Sequence, residues 1–292
     1  MATQTATLVA TKNGKPPLTR RVRRPIASHI ILLISALIYA FPFYWLVVMA
    51  TSSTSEIFTS PPRLWPGTSF FENFGTVLDG SPFGRSFLNS VFVTVVSSAV
   101  QVFFAALGGF VFAKYRFPGR DRLFAILLVT MVLPTGVALV PTFQIYAELG
   151  WINTYWPLIL PGAATAFGIF WMRQGSAAIP DELLEASRVD GAGFLRVFLH
   201  IGVPGLKAPI AAFAIFQIMW NWNEYLWPLL VLNDPEKATL PLALALLRGA
   251  YGSVDYSVVM AGTLVATIPL VILFLIFRRT VMDNAAQGAL KG

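Results

Sequence analysis

At 292 residues, 56% of them hydrophobic and only 12% charged, the chain has too little polar material to coat a soluble domain of its size. A mean hydropathy of +0.67 makes it a multispanning membrane protein. The absence of cysteine excludes a disulfide framework and a thiolate metal site, and the two histidines, His29 and His200, are too few and too far apart for a zinc centre. Neither a GxxxxGK[ST] phosphate loop nor a GxSxG elbow occurs.

Residues 1–26 form a basic, acid-free tail, expected to be a disordered cytoplasmic segment attracted to anionic lipid. Six apolar runs follow, at 27–50, 87–113, 123–142, 156–174, 208–232 and 258–277, each long enough to cross a hydrocarbon core of about 30 Å at about 1.5 Å per residue. The first is too long for a signal-peptide core and reads as an uncleaved anchor. In the second, Ser90, Thr94, Ser97 and Gln101 recur at helical spacing and make one polar stripe that should face the bundle interior, lining a path or bonding to other helices. Pro134, Gly136 and Pro141 in the third run, and Pro161 with Gly162 in the fourth, mark kinks or unwound turns.

Between the fourth and fifth runs lies the longest charged stretch, "LLEASRVDGAGFLRVFLHIGVPGL". Pro180, Asp181 and Glu182 suit a first helical turn, because proline has no N–H to orphan and carboxylates favour the positive end of the helix dipole. Asp190-Gly191 offers a turn with positive φ. Beyond it Phe194, Val197, Phe198 and Ile201 share one helical face, with Arg196 and His200 elsewhere, until Gly202 and Pro204 stop the helix. Helices this short need a surface to pack on, which could be their own bundle, lipid headgroups or a partner.

Glu224 lies inside the fifth run, where an unpartnered carboxylate costs several kcal/mol by general estimates (~3 or more). Asn221 and Asn223 flank it, and Trp220, Trp222, Tyr225 and Trp227 surround it. Rings beside amide and carboxylate groups suit a sugar, with its apolar C–H faces and rim of hydroxyls. The same residues could instead bond across helices while the tryptophans form an interfacial belt.

Seventeen of the 21 basic residues fall in segments that share one side if the N-terminus is inside, leaving Arg63, Arg85, Lys237 and Arg248 outside. Both termini are therefore expected in the cytoplasm. The net charge of +7 is mostly this asymmetry, so no nucleic-acid partner is inferred.

"EASRVDGAGFLRVFLHIGVPGLKAP" closely resembles the EAA loop of permease subunits in binding-protein-dependent ABC importers. Glu185 and Ala186 match its opening, Asp190, Gly191 and Ala192 its Asp-Gly-Ala, and Phe198, Ile201, Pro204 and Pro209 its later positions. Ser187 replaces the usual third alanine, and Val203 stands before Pro204 where leucine is common. "NWNEYLWPLL", "TLPLAL", "FLNSVFVTVV", "FVFAKYRFPGR" and the ending "GALKG" resemble the MalG-like carbohydrate subfamily.

The resemblance implies an all-α membrane protein of the type I ABC importer transmembrane fold, with residues 27–292 as one six-helix permease domain and a coupling loop at 180–209. It implies a heterodimer with a second, related permease, two ABC ATPase subunits below, an extracytoplasmic solute-binding protein above, and a sugar or related polyol or glycerol phosphate as cargo. The chain would be no enzyme and would bind no cofactor, with ATP and Mg on the ATPases, in the inner membrane of a bacterium. Coupling falls to Glu185, Ala186, Ser187, Arg188 (a possible partner of Glu185), Asp190, Gly191, Ala192, Phe198, Ile201 and Pro204. The solute pathway falls to Asn221, Asn223, Glu224, Trp220, Trp222, Tyr225, Ser90, Thr94 and Gln101. The alternative is a secondary carrier driven by an ion gradient, with Glu224 as its ion site. An intramembrane enzyme lacks support, since the spans hold no serine–histidine or paired-aspartate arrangement.

Overall fold

The computed structural model describes residues 26–250 and 255–289, all of its regular elements being helical. The basic tail up to residue 25 and the last three residues lie outside the described residues. Two compact units divide the chain at Tyr44. In the first, the described residues are the start of helix α1 (Ile26–Thr51), whose apolar side chains such as Ile31, Leu33, Leu37 and Ile38 are exposed, as suits a lipid-facing span.

The second unit begins within α1 and continues through the short α2 (Thr54–Ile57) and α3 (Phe70–Gly80) to the long α4 (Phe83–Lys114). Asn73 on α3 ties down the end of α1 by donating to the carbonyls of Ala50 and Ser52 at 3.0 and 2.9 Å. Next come α5 (Arg120–Thr130), a 3-10 turn at Thr135–Ala138, α6 (Leu139–Glu148), α7 (Trp156–Ile159) and α8 (Ala166–Ala177). The charged stretch supplies α9 (Asp181–Val189), α10 (Phe194–Val197), a π turn at Phe198–Gly202 and α11 (Val203–Gly205). The chain then re-enters the bundle with α12 (Lys207–Asn223), α13 (Leu226–Val231), α14 (Leu240–Ala250) and α15 (Tyr256–Ala289).

Three of the six apolar runs become continuous helices long and apolar enough to span, at Ser28–Thr51, Phe83–Lys114 and Tyr256–Phe277. The other three are broken, two of them as their prolines implied and the fifth where no break was expected. The third run splits into α5 and α6 around Pro134, and the fourth into α7 and α8 around Pro161 and Gly162, where the sequence marked unwinding. The fifth splits at Glu224. Pro204 does not end the cytoplasmic helix either: the chain passes through the π turn to Gly205, breaks at Leu206, and turns by 79° into α12.

Helix α4 is the centre of the unit, packing along α8 and α12 and against α7 and α14. Its approach to α8 is close because Gly109 presents no side chain: a Cβ there would lie 2.4 Å from the Met172 Cβ and 2.6 Å from the Arg173 nitrogen. Around this crossing Ala105, Ala106, Phe110 and Met172 join Leu184, Val197, Phe198, Leu206 and Phe213 in one buried cluster. The core therefore runs without interruption from the bundle into the loop at 180–209, and a move of one must be felt by the other.

Candidate functional site

The loop at 180–209 is a helical hairpin with one face buried and the other bare. Pro180 stands at the N-cap of α9, one residue earlier than expected, with Asp181 and Glu182 in the first turn. Asp190 is the C-cap, and Gly191 takes φ of +72°, so its N–H reaches the Arg188 carbonyl at 3.0 Å while the Ala192 N–H reaches Ser187 at 2.9 Å. Any side chain at Gly191 would have open space around it but a strained backbone. Ser187 fits as well as alanine because its hydroxyl bonds back to the Leu184 carbonyl at 2.8 Å.

The loop's apolar stripe divides. Val197 and Phe198 are buried against Phe110 and Met172, Ile201 and Ala192 are partly buried, and Phe194 stays exposed except for an edge contact with Tyr115. Phe198 thus anchors the hairpin from within. The bare face carries Glu185, Ala186, Arg188, Asp190 and Gly191 together with Leu183, Val189, Leu195 and Leu199, four apolar side chains that the sequence reading passed over. The signal was present in Leu195 and Leu199, one helical turn apart on the face opposite Val197. Pro204 is also exposed, behind the π turn.

A second omission is the end of α4. The Lys114 side chain, only 5% exposed, donates to the Ile179 carbonyl and, at 2.7 Å, to Asp181, whose carboxyl is held below the usual carboxylate range by that hydrogen bond and charge. Arg188 does not pair with Glu185; its guanidinium lies over the Tyr115 ring, 5.3 Å from the centroid. Lys114 and Tyr115 therefore clasp both helices of the hairpin, through Asp181 and Arg188 on one and Phe194 on the other.

Within the bundle the polar residues sort into two groups. Ser90, Thr94, Ser97 and Gln101 are all buried on the inner face of α4, as their spacing implied. Ser90 Oγ accepts the Leu240 N–H at 2.7 Å and so caps α14 from another helix, and Ser97 donates to the Leu158 carbonyl at 3.2 Å. Thr94 Oγ1 is buried with no hydrogen-bond partner. Gln101 Oε1 receives the amides of Gln217 at 2.5 Å and Asn221 at 2.9 Å, and Asn221 also donates to Ser98 Oγ at 3.0 Å. Gln217, which the sequence reading missed, lies one turn before Asn221 on α12. Trp222 belongs to this inward group as well: it is buried beside Phe87 and donates Nε1–H to the Ala266 carbonyl at 3.2 Å.

The second group faces outward from α12. Trp220 and Asn223 are exposed, Glu224 is half-exposed, and with Phe216 and Met219 they line an open groove of about 360 Å³. Phe216 and Trp220 stack with centroids 6.3 Å apart. Glu224 sits where α12 ends, with extended backbone at ψ of 123°, and its Oε1 accepts the Trp227 N–H at 3.1 Å, restarting the helix as α13. Tyr225 is exposed beside it. Asn223 Nδ2 bonds back to the Met219 carbonyl at 2.7 Å. Trp227, by contrast, turns inward and donates to Pro157 at 2.7 Å. Among the described residues no group of three or more potential metal ligands is assembled.

Residues 105–283 match the family described as binding-protein-dependent transport system inner membrane component. The chain belongs to that family. The permease is 35% identical over 262 residues to a lactose transport system permease protein, LacG, of Rhizobium radiobacter, covering 89% of this chain and 95% of the relative. It is 31% identical over 279 residues to an arabinooligosaccharides transport system permease protein, AraQ, of Halalkalibacterium halodurans, covering 94% and 100%. The sn-glycerol-3-phosphate transport system permease protein UgpE of Escherichia coli O1:K1 / APEC is 33% identical over 261 residues, covering 87% and 93%. Among solved structures, a bacterial ABC transporter involved in the import of the acidic polysaccharide alginate superposes with a TM-score of 0.76 at 25% identity, covering 91% of this chain and 99% of that one. The permease is thus a multi-pass inner-membrane subunit of an ABC transporter with the type I importer fold, and it works with other components of such a system.

Proposed function

We propose that this permease forms one half of a transmembrane heterodimer through which a sugar, or a related polyol or glycerol phosphate, is imported. A second permease would supply the other half, two ATPase subunits holding ATP and Mg would sit below, and an extracytoplasmic binding protein would deliver cargo. The observation that carries this reading is the two-faced hairpin at 180–209, bare on one side and continuous with the bundle core on the other. An ATPase seated on Glu185, Val189, Leu195 and Leu199 would push on Phe198 and Phe110, and so on α4. Coupling then needs no flexible part: closure of the ATPases displaces a rigid hairpin, and the bundle rocks between inward- and outward-open states.

Pathway residues divide in this reading. Trp220, Asn223, Glu224 and Tyr225 are assigned to the solute path, since a half-exposed carboxylate at the end of a 17-residue helix lies about 25 Å from the cytoplasmic entry of α12, still within the membrane, and lipid does not accept it. Ser90, Thr94, Gln101, Asn221 and Trp222 are assigned instead to holding the helices around that path. A carrier driven by an ion gradient would give the bare face of the hairpin no task.

A mild-detergent pull-down of the tagged chain from its host, with mass spectrometry of what co-purifies, tests the assembly. An ABC ATPase and a second permease are expected, whereas a chain that purifies alone or as a homodimer removes the proposal. Gly191→Val, which forces a β-branched residue to φ of +72°, is expected to leave insertion intact and abolish uptake. Full uptake at normal protein level would count against the hairpin as coupler.

A further inference from the structure

We infer that the groove on α12 is a charge filter, built for a neutral saccharide and against phosphorylated or acidic sugars. The inference rests on the reading of this groove as part of the solute path and goes beyond it. Its lining among the described residues is one carboxyl group, one amide, two stacked aromatic rings and a methionine, with no basic side chain among them. One oxygen of Glu224 is committed to the Trp227 N–H, which leaves its other oxygen free to accept a hydroxyl proton. Asn223 commits one N–H of its amide to Met219 and keeps its carbonyl oxygen and second N–H. Hydroxyl groups can pair with both, and the rings offer a flat seat for C–H faces.

Among the described side chains an anion finds no counter-charge here. The basic side chains described on the extracytoplasmic side are engaged elsewhere: Arg63 with Glu56, Arg85 with Glu236 at 3.6 Å, and Lys237 with the Asn153 carbonyl at 2.9 Å. A phosphate or uronate entering the groove would meet the Glu224 carboxylate in a site of reduced dielectric, where like charges repel strongly. The named cargoes of the relatives span both classes, lactose and arabinooligosaccharides on one side and glycerol phosphate and alginate on the other. Glu224 places this permease with the first.

The lack of cysteine in the chain makes the test clean. Met219→Cys puts a single thiol in the groove, and inverted and right-side-out membrane vesicles carrying the assembled transporter are treated with two methanethiosulfonates of similar size, one bearing a sulfonate and one a trimethylammonium. In each reaction the thiolate sulfur attacks the reagent, a disulfide forms and methanesulfinate leaves, so the rate ratio reports the local potential independently of the thiol's own ionisation. Relative to a free thiol, the cationic reagent is expected to be favoured about tenfold or more, equivalent to about 1.4 kcal/mol, and Glu224→Gln, which keeps the oxygen that caps Trp227, should collapse that preference. A thiol that reacts with neither reagent from either side would overturn the assignment of the groove to the path. A reactive thiol whose ratio is near that of the free thiol, or is unchanged by Glu224→Gln, would leave the path standing and overturn the filter. Protection of the thiol by sn-glycerol 3-phosphate would also overturn the filter.

Discussion

Replacing Lys114 with methionine isolates the clasp at the cytoplasmic end of α4. Methionine keeps the buried stem and its packing but removes the ammonium, so the Ile179 carbonyl loses its charged donor and Asp181 its partner. The two losses differ in size. Ile179 is buried, and a hydrogen bond from a charged group to its carbonyl contributes about 1.5–3 kcal/mol. Asp181 is 76% exposed at its side chain, so solvent screens its ion pair and the larger loss is at Ile179. A loss of about 2 kcal/mol from one contact raises the population of hairpins released from α4 by roughly 30-fold. The assay is the purified complex in proteoliposomes, scored as solute taken up per ATP hydrolysed. Assembly should survive, because the bare face of the hairpin is untouched, while uptake per ATP falls several-fold and Lys114→Arg restores part of it. Wild-type coupling in Lys114→Met would refute the argument that α4 receives the stroke of the hairpin through this clasp.

Two further pairs of substitutions test the bundle. Gly109→Ala must push α4 from α8, since its Cβ would stand 2.4 Å from the Met172 Cβ, and should cost about 1–3 kcal/mol as lost thermal stability in detergent. Gly84→Ala, where nothing lies within 4 Å of the new Cβ, is the matched control and should be neutral or slightly stabilising; equal melting of the two variants would refute the close crossing. Gln101→Leu strands the Gln217 amide and should cost about 1–3 kcal/mol, whereas adding Gln217→Leu should recover part of that loss, because removing both partners is cheaper than orphaning one. A double variant no more stable than the single one would contradict this pairing.

Composition made the membrane class readable, and the conformation of Gly191 followed from Asp190-Gly191 alone. The polar stripe of α4 was legible as inward-facing, but its partners were not: nothing in the spacing of Ser90 says that its hydroxyl will cap Leu240, 150 positions away. Gln217 was hidden for another reason. Read as part of an apolar run it looks incidental, and only its distance of one helical turn from Asn221 shows that α12 carries a polar edge. The bare apolar face of the hairpin was hidden by the opposite error, since a helix with apolar residues on two sides reads as having one when the first stripe is strong.

The breaks in the third and fifth spans follow one rule that was available in the sequence, as does the break before α12. Proline has no N–H for the carbonyl four residues earlier and its ring clashes with that carbonyl, so a helix tends to end there. Four residues before Pro134, Pro209 and Pro228 stand Thr130, Gly205 and Glu224, where α5 ends, where α11 ends, and where α12 gives way to α13. Three prolines defy the rule among the described residues: α1 runs through Pro42, α15 through Pro269, and the π turn through His200 into α11 with its Pro204. Local chemistry separates the two outcomes at Glu224, where a side-chain carboxyl takes the Trp227 N–H that the interrupted ladder would leave bare. The break is therefore stabilised by the same carboxyl group that gives the groove its charge, and Glu224→Ala should lose both at once. Glu224→Gln keeps the cap and loses the charge, so comparing the two variants for thermal stability and for reagent selectivity separates structure from selection. Equal stability losses in both would mean that the charge itself, rather than the oxygen that accepts the Trp227 N–H, holds the fifth span in its broken form.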